Sequence, residues 1–461
     1  MMIISFDQWR GDWGDPWGAG FGLVNLERIA NEGWVCRRCY TSSPQCVPAR
    51  LSWITGKYPS EIGVTKNMDV NIKKNSPSVI RLFEEAGWYT SIIGKTHWTS
   101  HRHPTHLNKT KEIIESLGFK KVEEIAGPRA LKIVNCAITE DWEKEGWLSA
   151  QRNDLNARYR DVERKSAWKV KESVLPEHLY PDRWITEKSL REISKMNNEN
   201  PWVIWVSYVG PHEPFDTPRK WKQMIEKYKV PKAYEMKNQI ERVDIRSNLA
   251  KQERLWRGMV GEDEINELRK DYAAHLKMLD TQVKELMDCI KNKGMEDNTD
   301  IIIMADHGEM LGDMGMLYKS SFLEGSIRVP FVYRPAGGMH IQRKFGQAVE
   351  LTKVFAEIVR NSAKQVEAER IIEKICSMGD TAIIEYENET AAIRGKRKLV
   401  VNEDNEIMWR SIIKKSGEEE IIRKMNKKGE ISHKWEDLLL YIIEHKNRVH
   451  INEWTESNLV N

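Results

Sequence analysis

The chain has 461 residues, which is long enough for two domains with a sizeable hydrophobic core. Its 72 lysine and arginine residues almost balance its 69 aspartate and glutamate residues, and the net charge of +3 argues against a nucleic-acid-binding protein that acts through a basic surface. No stretch approaches the run of about 20 apolar residues that a membrane span requires.

The N-terminal sequence and the cysteines bear on the compartment. Residues 1–6 are too short for a signal peptide and lack its basic region. The 6 cysteines are scattered without the spacing of a disulfide framework, so reduced thiols are expected. Cys36 and Cys39 form a CxxC pair, but no second pair completes a zinc site. We therefore expect a cytoplasmic protein with no membrane partner.

The first predicted element is a short strand at residues 2–6, which are almost continuously apolar and typical of a buried parallel sheet. Asp7 and Gln8 follow it directly. In doubly wound α/β proteins, ligands bind just beyond the carboxyl ends of the strands. The two side chains therefore fall where a metal-binding pair is expected, and hard oxygen ligands suit calcium, magnesium or manganese. The alternative is an Asx turn that only closes the strand.

A predicted helix begins near Cys46, since Pro48 suits a first helical turn and Gly56 suits a helix end. The cysteine side chain would then lie at a helix N-terminus, where free N–H groups and the helix dipole favour anions. Arg50 follows one turn later and can neutralise a tetrahedral oxyanion. The alternative is an inert buried thiol before an ordinary helix.

Further elements follow the same alternation of strand and helix. Helical periodicity predicts helices at residues 78–86, 185–197, 263–293 and 346–361. Apolar runs predict strands at residues 88–93, 201–208 and 301–304. These strands lead into the polar loops Gly94-Lys95-Thr96-His97, Gly210-Pro211-His212-Glu213-Pro214 and Ala305-Asp306-His307-Gly308-Glu309. Each loop by itself is more typical of a solvated turn than of an active site.

Two polar segments, residues 101–184 and 216–262, separate these elements and are interpreted as insertions. The first contains His101, His103 and His106 in a polar loop, where a metal site is not expected, and charged helices that would border a substrate pocket.

The C-terminal part is predicted to be a small α+β unit. Strands are expected near residues 382–386, 391–394 and 397–401, followed by helices, with the charged run 413–428 as a solvated helix face. The predicted domains are residues 1–375 and 376–461.

The motifs taken together resemble those of the formylglycine-dependent sulfatases of the alkaline phosphatase superfamily. The resemblance rests on Cys46-Val47-Pro48-Ala49-Arg50 with Thr55-Gly56, Gly94-Lys95-Thr96-His97, Pro211-His212-Glu213-Pro214, Asp306-His307-Gly308, Lys319, and the segment from Glu324-Gly325 to Arg328-Val329-Pro330. It covers roughly the first three-quarters of the chain, and Asp7-Gln8 with Asp306-His307 is most similar to the choline-sulfatase and phosphonate monoester hydrolase branch. It implies an α/β fold: an alkaline-phosphatase-like sandwich with a large mixed, mostly parallel sheet flanked by helices, and a small C-terminal α+β subdomain.

The resemblance also implies the cofactors. A formylglycine-generating maturase would oxidise Cys46 to formylglycine, and one divalent metal ion would be held by Asp7, Gln8, Cys46, Asp306 and His307. Calcium is the first expectation from the family. Manganese and magnesium are the alternatives, and the imidazole and amide ligands favour manganese more than in the calcium enzymes.

Roles for the remaining motif residues follow from the same resemblance. Arg50, Lys95 and Lys319 would neutralise charge on the sulfate, and Asp306 could take the proton of the attacking hydroxyl. His212, with Lys319, would protonate the leaving alcohol or phenol, and His97 would accept the proton that allows sulfate to leave. Substrate contacts are expected from Asn67, Lys95, His212 and Lys319.

The resulting hypothesis is a sulfuric ester hydrolase that acts on a small-molecule sulfate monoester. The alternatives are a phosphonate monoester hydrolase or phosphodiesterase on the same scaffold, and a binding protein whose Cys46 is never oxidised. A homo-oligomeric state is left open. Trp9, Trp13, Trp53 and Trp98 lie near the motifs, and core packing is expected for most of the tryptophans rather than a cation–π pocket.

Overall fold

The computed structural model describes residues 1–14, 16–18, 20–101, 105–159, 168–235, 239–339, 344–345, 347–414, 418–422 and 433–453. These residues form two sheets with helices around them. The helices are α1 Val24–Asn31, α2 Cys46–Thr55, α3 Pro59–Ile62, α4 Arg81–Glu85, α5 Lys111–Glu115, α6 Ala137–Lys144, α7 Leu148–Tyr159, α8 Pro181–Ile193, α9 Arg219–Ile225, α10 Asn248–Trp256, α11 Glu262–Asn292, α12 Glu324–Ile327, α13 Leu351–Ser362, α14 Ala368–Ser377 and α15 His433–Glu453.

The large sheet is mixed and mostly parallel. Its strands are β1 Met2–Asp7, β2 Trp34–Tyr40, β3 Tyr89–Gly94, β4 Lys121–Glu124, β5 Trp202–Pro211, β6 Ile301–Ala305, β7 Arg328–Arg334, β8 Lys344–Phe345 and β9 Val349–Glu350. The strand order is β4-β3-β5-β1-β6-β7-β2-β8, and β9 also pairs with β2. Neighbouring strands from β4 to β6 run parallel, whereas β7 is antiparallel to both β6 and β2. The predicted architecture is confirmed.

Helices cover both faces of this sheet, which explains why its central strands are continuously apolar. On one face, the ring of Trp205 lies 5.4 Å from Phe355 of α13 and 6.2 Å from Trp53 of α2, centroid to centroid. On the other face, the hydroxyl of Tyr208 is 2.9 Å from that of Thr186 in α8. Because β1, β5 and β6 are parallel and adjacent, their carboxyl ends lie side by side at one edge of the sheet.

The second sheet is antiparallel, in the order β10-β11-β12-β13-β14. Its strands are β10 Thr381–Tyr386, β11 Glu389–Arg394, β12 Arg397–Asn402, β13 Ile407–Ile413 and β14 Glu419–Ile421. It is joined to the large sheet by contacts such as the bond from the Glu385 N–H to the Ser42 carbonyl, 2.8 Å. Helix α14 continues past residue 375 to Ser377, so the predicted boundary between residues 375 and 376 falls within a helix. The division into two domains stays a prediction.

Four predicted elements differ from those observed. The helix at 185–197 is Pro181–Ile193, four residues earlier, because Pro181 suits its first turn. The helix at 78–86 is only Arg81–Glu85, because the Ser78 hydroxyl accepts the Ile80 N–H and forms a turn instead. The helix at 346–361 begins at Leu351, since Val349–Glu350 pairs with β2.

The prediction of a helix for the charged run 413–428 is wrong for the described residues of that run. Glu419–Ile421 forms strand β14 and pairs with β13. Residues 415–417 and 423–428 lie outside the described part.

Among the helices of the described residues, none combines the length and the apolar character that crossing a bilayer would demand.

Candidate active site

Cys46 is the first residue of α2 and is buried, with 2 % of its surface exposed. Its Sγ lies 3.1 Å from Nε2 of His307 and 3.1 Å from Nζ of Lys319. Burial alone would raise the pKa of the thiol, but Lys319 and Lys95 outweigh it and hold that pKa well below its usual value. The predicted helix start is confirmed, and the environment favours a thiolate rather than an inert thiol.

The residues after β1 and β6 meet beside the cysteine. Asp7, Cys46, Asp306 and His307 each offer one ligand atom, and these atoms all lie within 4.8 Å of one another in fully buried surroundings. Nδ1 of His307 is 3.0 Å from the carbonyl of Gly308, and a carbonyl can only accept, so Nδ1 carries the proton. Nε2 faces the cluster; burial lowers the pKa of His307, but Asp306 more than offsets it and the pKa is raised, so a cation bound here would displace a proton from Nε2. Two carboxylates, an imidazole nitrogen and a sulfur suit a divalent cation.

Asp7 is held in its charged form by nearby cations. Its Oδ2 accepts from Nζ of Lys95 and lies 3.5 Å from Nη2 of Arg50. Burial raises the pKa of Asp7, but Lys95 and other cations more than compensate, and the net effect is a lowered pKa. The carboxylate is therefore ionised at neutral pH, as a metal ligand must be.

Gln8 is oriented by a network that no local pattern in the sequence indicates. Its backbone has φ +69°, and its side-chain Nε2 donates to carboxylates of Glu213 (3.2 Å) and Glu309. Two carboxylate acceptors fix Nε2 on that side, so Oε1 faces Lys319 and accepts from its Nζ at 2.9 Å. Metal ligation by Gln8 stays a prediction.

Arg50 is buried beside the carboxylates of Asp7 and Asp306. It is 1 % exposed, and its Nε donates to Oδ2 of Asp306 at 2.6 Å. Its Nη1 donates to the Lys95 carbonyl at 2.7 Å and to the Ser207 hydroxyl at 3.0 Å. The guanidinium thus links β5 to the residues that follow β3 and β6, and its contact with a substrate oxyanion stays a prediction.

The loop after β3 supplies Lys95 and His97. His97 adopts φ +60°, and its ring stacks on His101 with centroids 4.8 Å apart. Burial and Lys95 lower the pKa of His97 to about 3, so the ring is neutral at pH 7. His101 is held in turn by Oε1 of Glu124, 3.1 Å from its Nε2. A pKa this low makes the ring a weak base in the thiol form of the site, and its role as a proton acceptor stays a prediction.

The loop after β5 supplies His212. Its Nδ1 lies 2.7 Å from the carbonyl of Glu213 and 3.0 Å from Oε2 of the same residue. Both partners are acceptors, so Nδ1 carries a proton and the tautomer is fixed.

A cavity of about 640 Å³ opens over this cluster. Its lining includes six of the predicted residues: Cys46, Asn67, Lys95, His97, His212 and Lys319. Oδ1 of Asn67 accepts the Val47 N–H at 2.9 Å, so this side chain serves the first turn of α2 as well as the cavity wall.

The family assignment follows from comparison with known proteins. The family model described as Sulfatase matches residues 20–358. The chain belongs to the sulfatase family. It is 25% identical over 366 residues to an arylsulfatase of Clostridium perfringens, covering 78% of this chain and 74% of that protein. It is 25% identical over 381 residues to a choline-sulfatase of Rhizobium meliloti, covering 79% and 68%.

A solved structure shares the fold of this sulfatase-family chain. A phosphonate monoester hydrolase from Silicibacter pomeroyi superposes with a TM-score of 0.73 at 16% identity, over 98% of this chain and 95% of that one. At this identity the similarity concerns the fold.

Several contributors to the site were missed by sequence reasoning. Glu213 and Glu309 hold Gln8, and Arg129 from the first insertion lines the cavity and donates to Oε1 of Glu213 at 3.0 Å. Glu213 and Glu309 lie in the same loop motifs as His212 and His307, so their position in the sequence could have indicated a role in the site. Arg129 had none, because its segment carries no motif.

The aromatic and cysteine predictions can also be compared with the structure. Trp9, Trp13, Trp53 and Trp98 are at most 1% exposed and pack in the core, as expected for most tryptophans. Cys36 and Cys39 lie on β2, also in the core.

Of the predicted histidine cluster, His101 binds Glu124, His106 lies 2.8 Å from Glu140, and His103 is outside the described residues.

Proposed function

We propose that this protein hydrolyses a small-molecule sulfate monoester to sulfate and an alcohol or phenol. One observation carries the proposal: the cysteine of the sulfatase signature lies at a helix N-terminus, 3.1 Å from Lys319 and 3.1 Å from His307, at the wall of a cavity. An anionic ester that enters the cavity meets the two lysines that line it, Lys95 and Lys319.

We propose further that Cys46 is oxidised to formylglycine, whose hydrated form supplies a hydroxyl where the thiol stands. Asp7, Asp306 and His307, with Gln8, would hold a divalent metal. A bound divalent metal supplies Lewis acidity, which lowers the pKa of a neighbouring hydroxyl and polarises an ester oxygen. The family favours calcium, whereas the imidazole of His307 favours manganese, with magnesium as the third candidate.

The chain's own residues perform the remaining tasks. Lys95 and Lys319 offset the negative charge that builds on the sulfate oxygens. Arg50 acts through Asp306, because its Nε donates to Oδ2 of that carboxylate and orients it.

Proton transfer is divided between two imidazoles. His212 would protonate the oxygen of the leaving group, and Glu213 holds its ring by Nδ1. His97 is neutral at pH 7 and contacts the side chain at position 46, so it would accept the proton whose loss lets sulfate depart.

The experiment that tests the proposal combines mass, metal and rate. The protein is produced with a formylglycine-generating maturase, and intact-mass analysis should find the CH2SH group of position 46 converted to CHO, with loss of sulfur and two hydrogens and gain of one oxygen. Metal content is measured by plasma mass spectrometry, and turnover of an aryl sulfate is compared with that of Cys46→Ala. We expect the variant to lose at least about 10⁴-fold in kcat, the scale for removing a nucleophile. Fully active protein that retains the thiol would contradict the proposal.

A second candidate is a phosphonate monoester hydrolase or phosphodiesterase. The Asp7-Gln8 and Asp306-His307 pairs are its support, because they are similar to that branch of the superfamily. Rates on matched phenyl sulfate, phenyl phosphonate monoester and phosphodiester substrates separate the two. A sulfatase should prefer the sulfate ester by at least about tenfold in kcat/KM. A binding protein without oxidised Cys46 would turn over none of them.

A further inference from the structure

The segment 127–134 of the first insertion forms one wall of the cavity next to the reacting centre. It begins with Gly127, which packs so closely on Lys95 that an added Cβ would lie 3.1 Å from Nζ. A tight turn follows, since the Gly127 carbonyl accepts from the N–H groups of Ala130 (2.9 Å) and Leu131 (3.1 Å). Arg129 and Lys132 project from this turn and line the cavity.

Helix α7 holds the turn in place from behind. Nη2 of Arg152 donates to the Val134 carbonyl at 3.1 Å and to the Asn135 side chain at 2.6 Å. The ring of Tyr159, the last residue of α7, lies 5.0 Å from the guanidinium carbon of Arg129 and 5.6 Å from Nζ of Lys132. Both cations therefore share one aromatic ring, which fixes them near each other.

The two cations have too few anionic partners within the part of the chain that the structure describes. Arg129 has one carboxylate, Glu213, and its side chain remains 46% exposed. No described carboxylate lies within 4.0 Å of Lys132, and burial and Arg129 lower the pKa of this lysine. By contrast, the rim lysine Lys66 has an acid, Glu387, at 3.9 Å. An incoming anion would relieve the repulsion between Arg129 and Lys132 and gain charge-assisted hydrogen bonds from both.

The position of this pair defines which part of a substrate it meets. Arg129 binds Oε1 of Glu213, and Oε2 of the same carboxylate lies 3.0 Å from Nδ1 of His212. Since His212 is the expected acid for the leaving group, the pair lies on the leaving-group side of Cys46. A cationic leaving group such as choline would be repelled here, and no tryptophan of the described residues lines the cavity to bind a quaternary ammonium.

We propose that Arg129 and Lys132 form a subsite for a second acid group on the leaving alcohol, so that the substrates are sulfate esters with a nearby carboxylate or second sulfate. This rests on the proposed sulfate ester hydrolysis and narrows its substrate class.

The test compares kcat/KM for three aryl sulfates: phenyl sulfate, 3-carboxyphenyl sulfate and 3-(trimethylammonio)phenyl sulfate. The first two have leaving phenols of similar acidity, whereas the third has a more acidic phenol and is intrinsically the better leaving group. The matured wild-type enzyme should prefer the carboxylate ester to the phenyl ester by about tenfold or more, the scale of one charge-assisted hydrogen bond. The cationic ester should be the poorest. Adding 1,3-phenylene disulfate distinguishes a sulfate-binding from a carboxylate-binding subsite.

Lys132→Gln should remove most of the preference, seen as a ratio of kcat/KM values close to one, and Arg129→Gln should lower the same ratio. Lys66→Gln is the matched control, because it removes the same charge from the rim of the same cavity and should leave the ratio unaltered. If Lys66→Gln lowers the kcat/KM ratio as much as Lys132→Gln does, the preference arises from the overall positive potential of the cavity, and the subsite proposal is wrong. A wild-type ratio near one would also overturn it.

Binding of products separates this proposal from the proposed function. Calorimetry should detect 3-hydroxybenzoate binding to the wild type more tightly than phenol, and Lys132→Gln should abolish the difference. If no ester is hydrolysed but this difference is found, the hydrolysis proposal fails and the subsite stands. If esters are hydrolysed without any preference, hydrolysis stands and the subsite is wrong.

Discussion

Two clusters of buried charge can be compared in this protein, one at the cavity and one between the two sheets. In the first, Asp7, Lys95, Arg50 and Asp306 surround Cys46. In the second, Nζ of Lys398 lies 2.6 Å from the Phe322 carbonyl, 2.7 Å from Glu419 and 3.1 Å from Glu324. Lys398 and Glu419 are on the antiparallel sheet, whereas Glu324 belongs to α12, so the second cluster joins the two parts of the fold.

The two clusters differ in whether their charged groups only pair with one another or also face the cavity. In the second cluster, Lys398, Glu324 and Glu419 each have an oppositely charged partner within 3.1 Å. None of these three residues is among the described residues that line the cavity. Around Cys46, Nε2 of His307 and Nζ of Lys319 each lie 3.1 Å from one sulfur. Burial is almost complete in both, so burial by itself does not mark a functional site. A convergent set of groups that meets at a cavity does.

The largest expected effect concerns the cavity cluster. Asp306→Asn keeps the shape of the side chain but removes the negative charge that Arg50 binds. We expect kcat/KM for an aryl sulfate to fall at least about 10³-fold, as when a principal charge-stabilising group is lost. Metal content of the purified variant should fall with it. Unchanged turnover in Asp306→Asn would remove this carboxylate from the mechanism.

The inter-sheet cluster should respond in stability instead. Lys398→Met leaves Glu324 and Glu419 buried without their cation, and breaking a buried pair in this way costs about 3–5 kcal/mol of the free energy of unfolding. Urea denaturation measures this. The exposed neighbour Lys396→Met is the control and should change stability by less than about 0.5 kcal/mol. If Lys398→Met lowers kcat/KM but leaves the free energy of unfolding unchanged, the distinction between the two clusters is wrong.

A buried carboxylate that has no ion-pair partner within 4.0 Å among the described residues sharpens the comparison. Glu389 on β11 accepts the Asn248 N–H at 2.7 Å, and burial raises its pKa from 4.5 to about 7. The folded state therefore keeps a proton that the unfolded state has lost between these pH values, and stability decreases as the pH rises through that window.

Glu389→Gln keeps an acceptor for Asn248 but cannot ionise. We expect it to be about 1–3 kcal/mol more stable than the wild type at pH 8 and equally stable near pH 4. Chemical denaturation at both pH values tests this, and equal pH dependence in the two proteins would show that Glu389 ionises normally.

The smallest expected effect is at the helix that carries Cys46. Asn67→Ala removes the acceptor of the Val47 N–H and should cost about 1 kcal/mol in the free energy of unfolding. Asn67→Asp retains an acceptor oxygen and should cost less. Thermal unfolding of both variants gives the comparison, and an Asn67→Asp variant as unstable as Asn67→Ala would assign the loss to something other than this bond.

Much of the fold could be predicted because its signals are local. Continuous apolar runs marked β1, β5 and β6, and Pro48 with Gly56 marked the ends of α2. The strand β14 escaped prediction because its sequence is charged, and only its pairing with β13 and the contact of Glu419 with Lys398 makes it a strand.

The sequence by itself determined which residues stand at the strand ends and that a cysteine begins a helix, since strand length, helix caps and motif spacing are set by neighbours in the chain. The tertiary structure alone decided where the side chains point. Arg50 turns to carboxylates behind the cavity, Gln8 is oriented by Glu309 from 301 residues away, and Arg129 and Lys132 share the ring of Tyr159. Such contacts depend on how distant segments pack, and no local pattern encodes them.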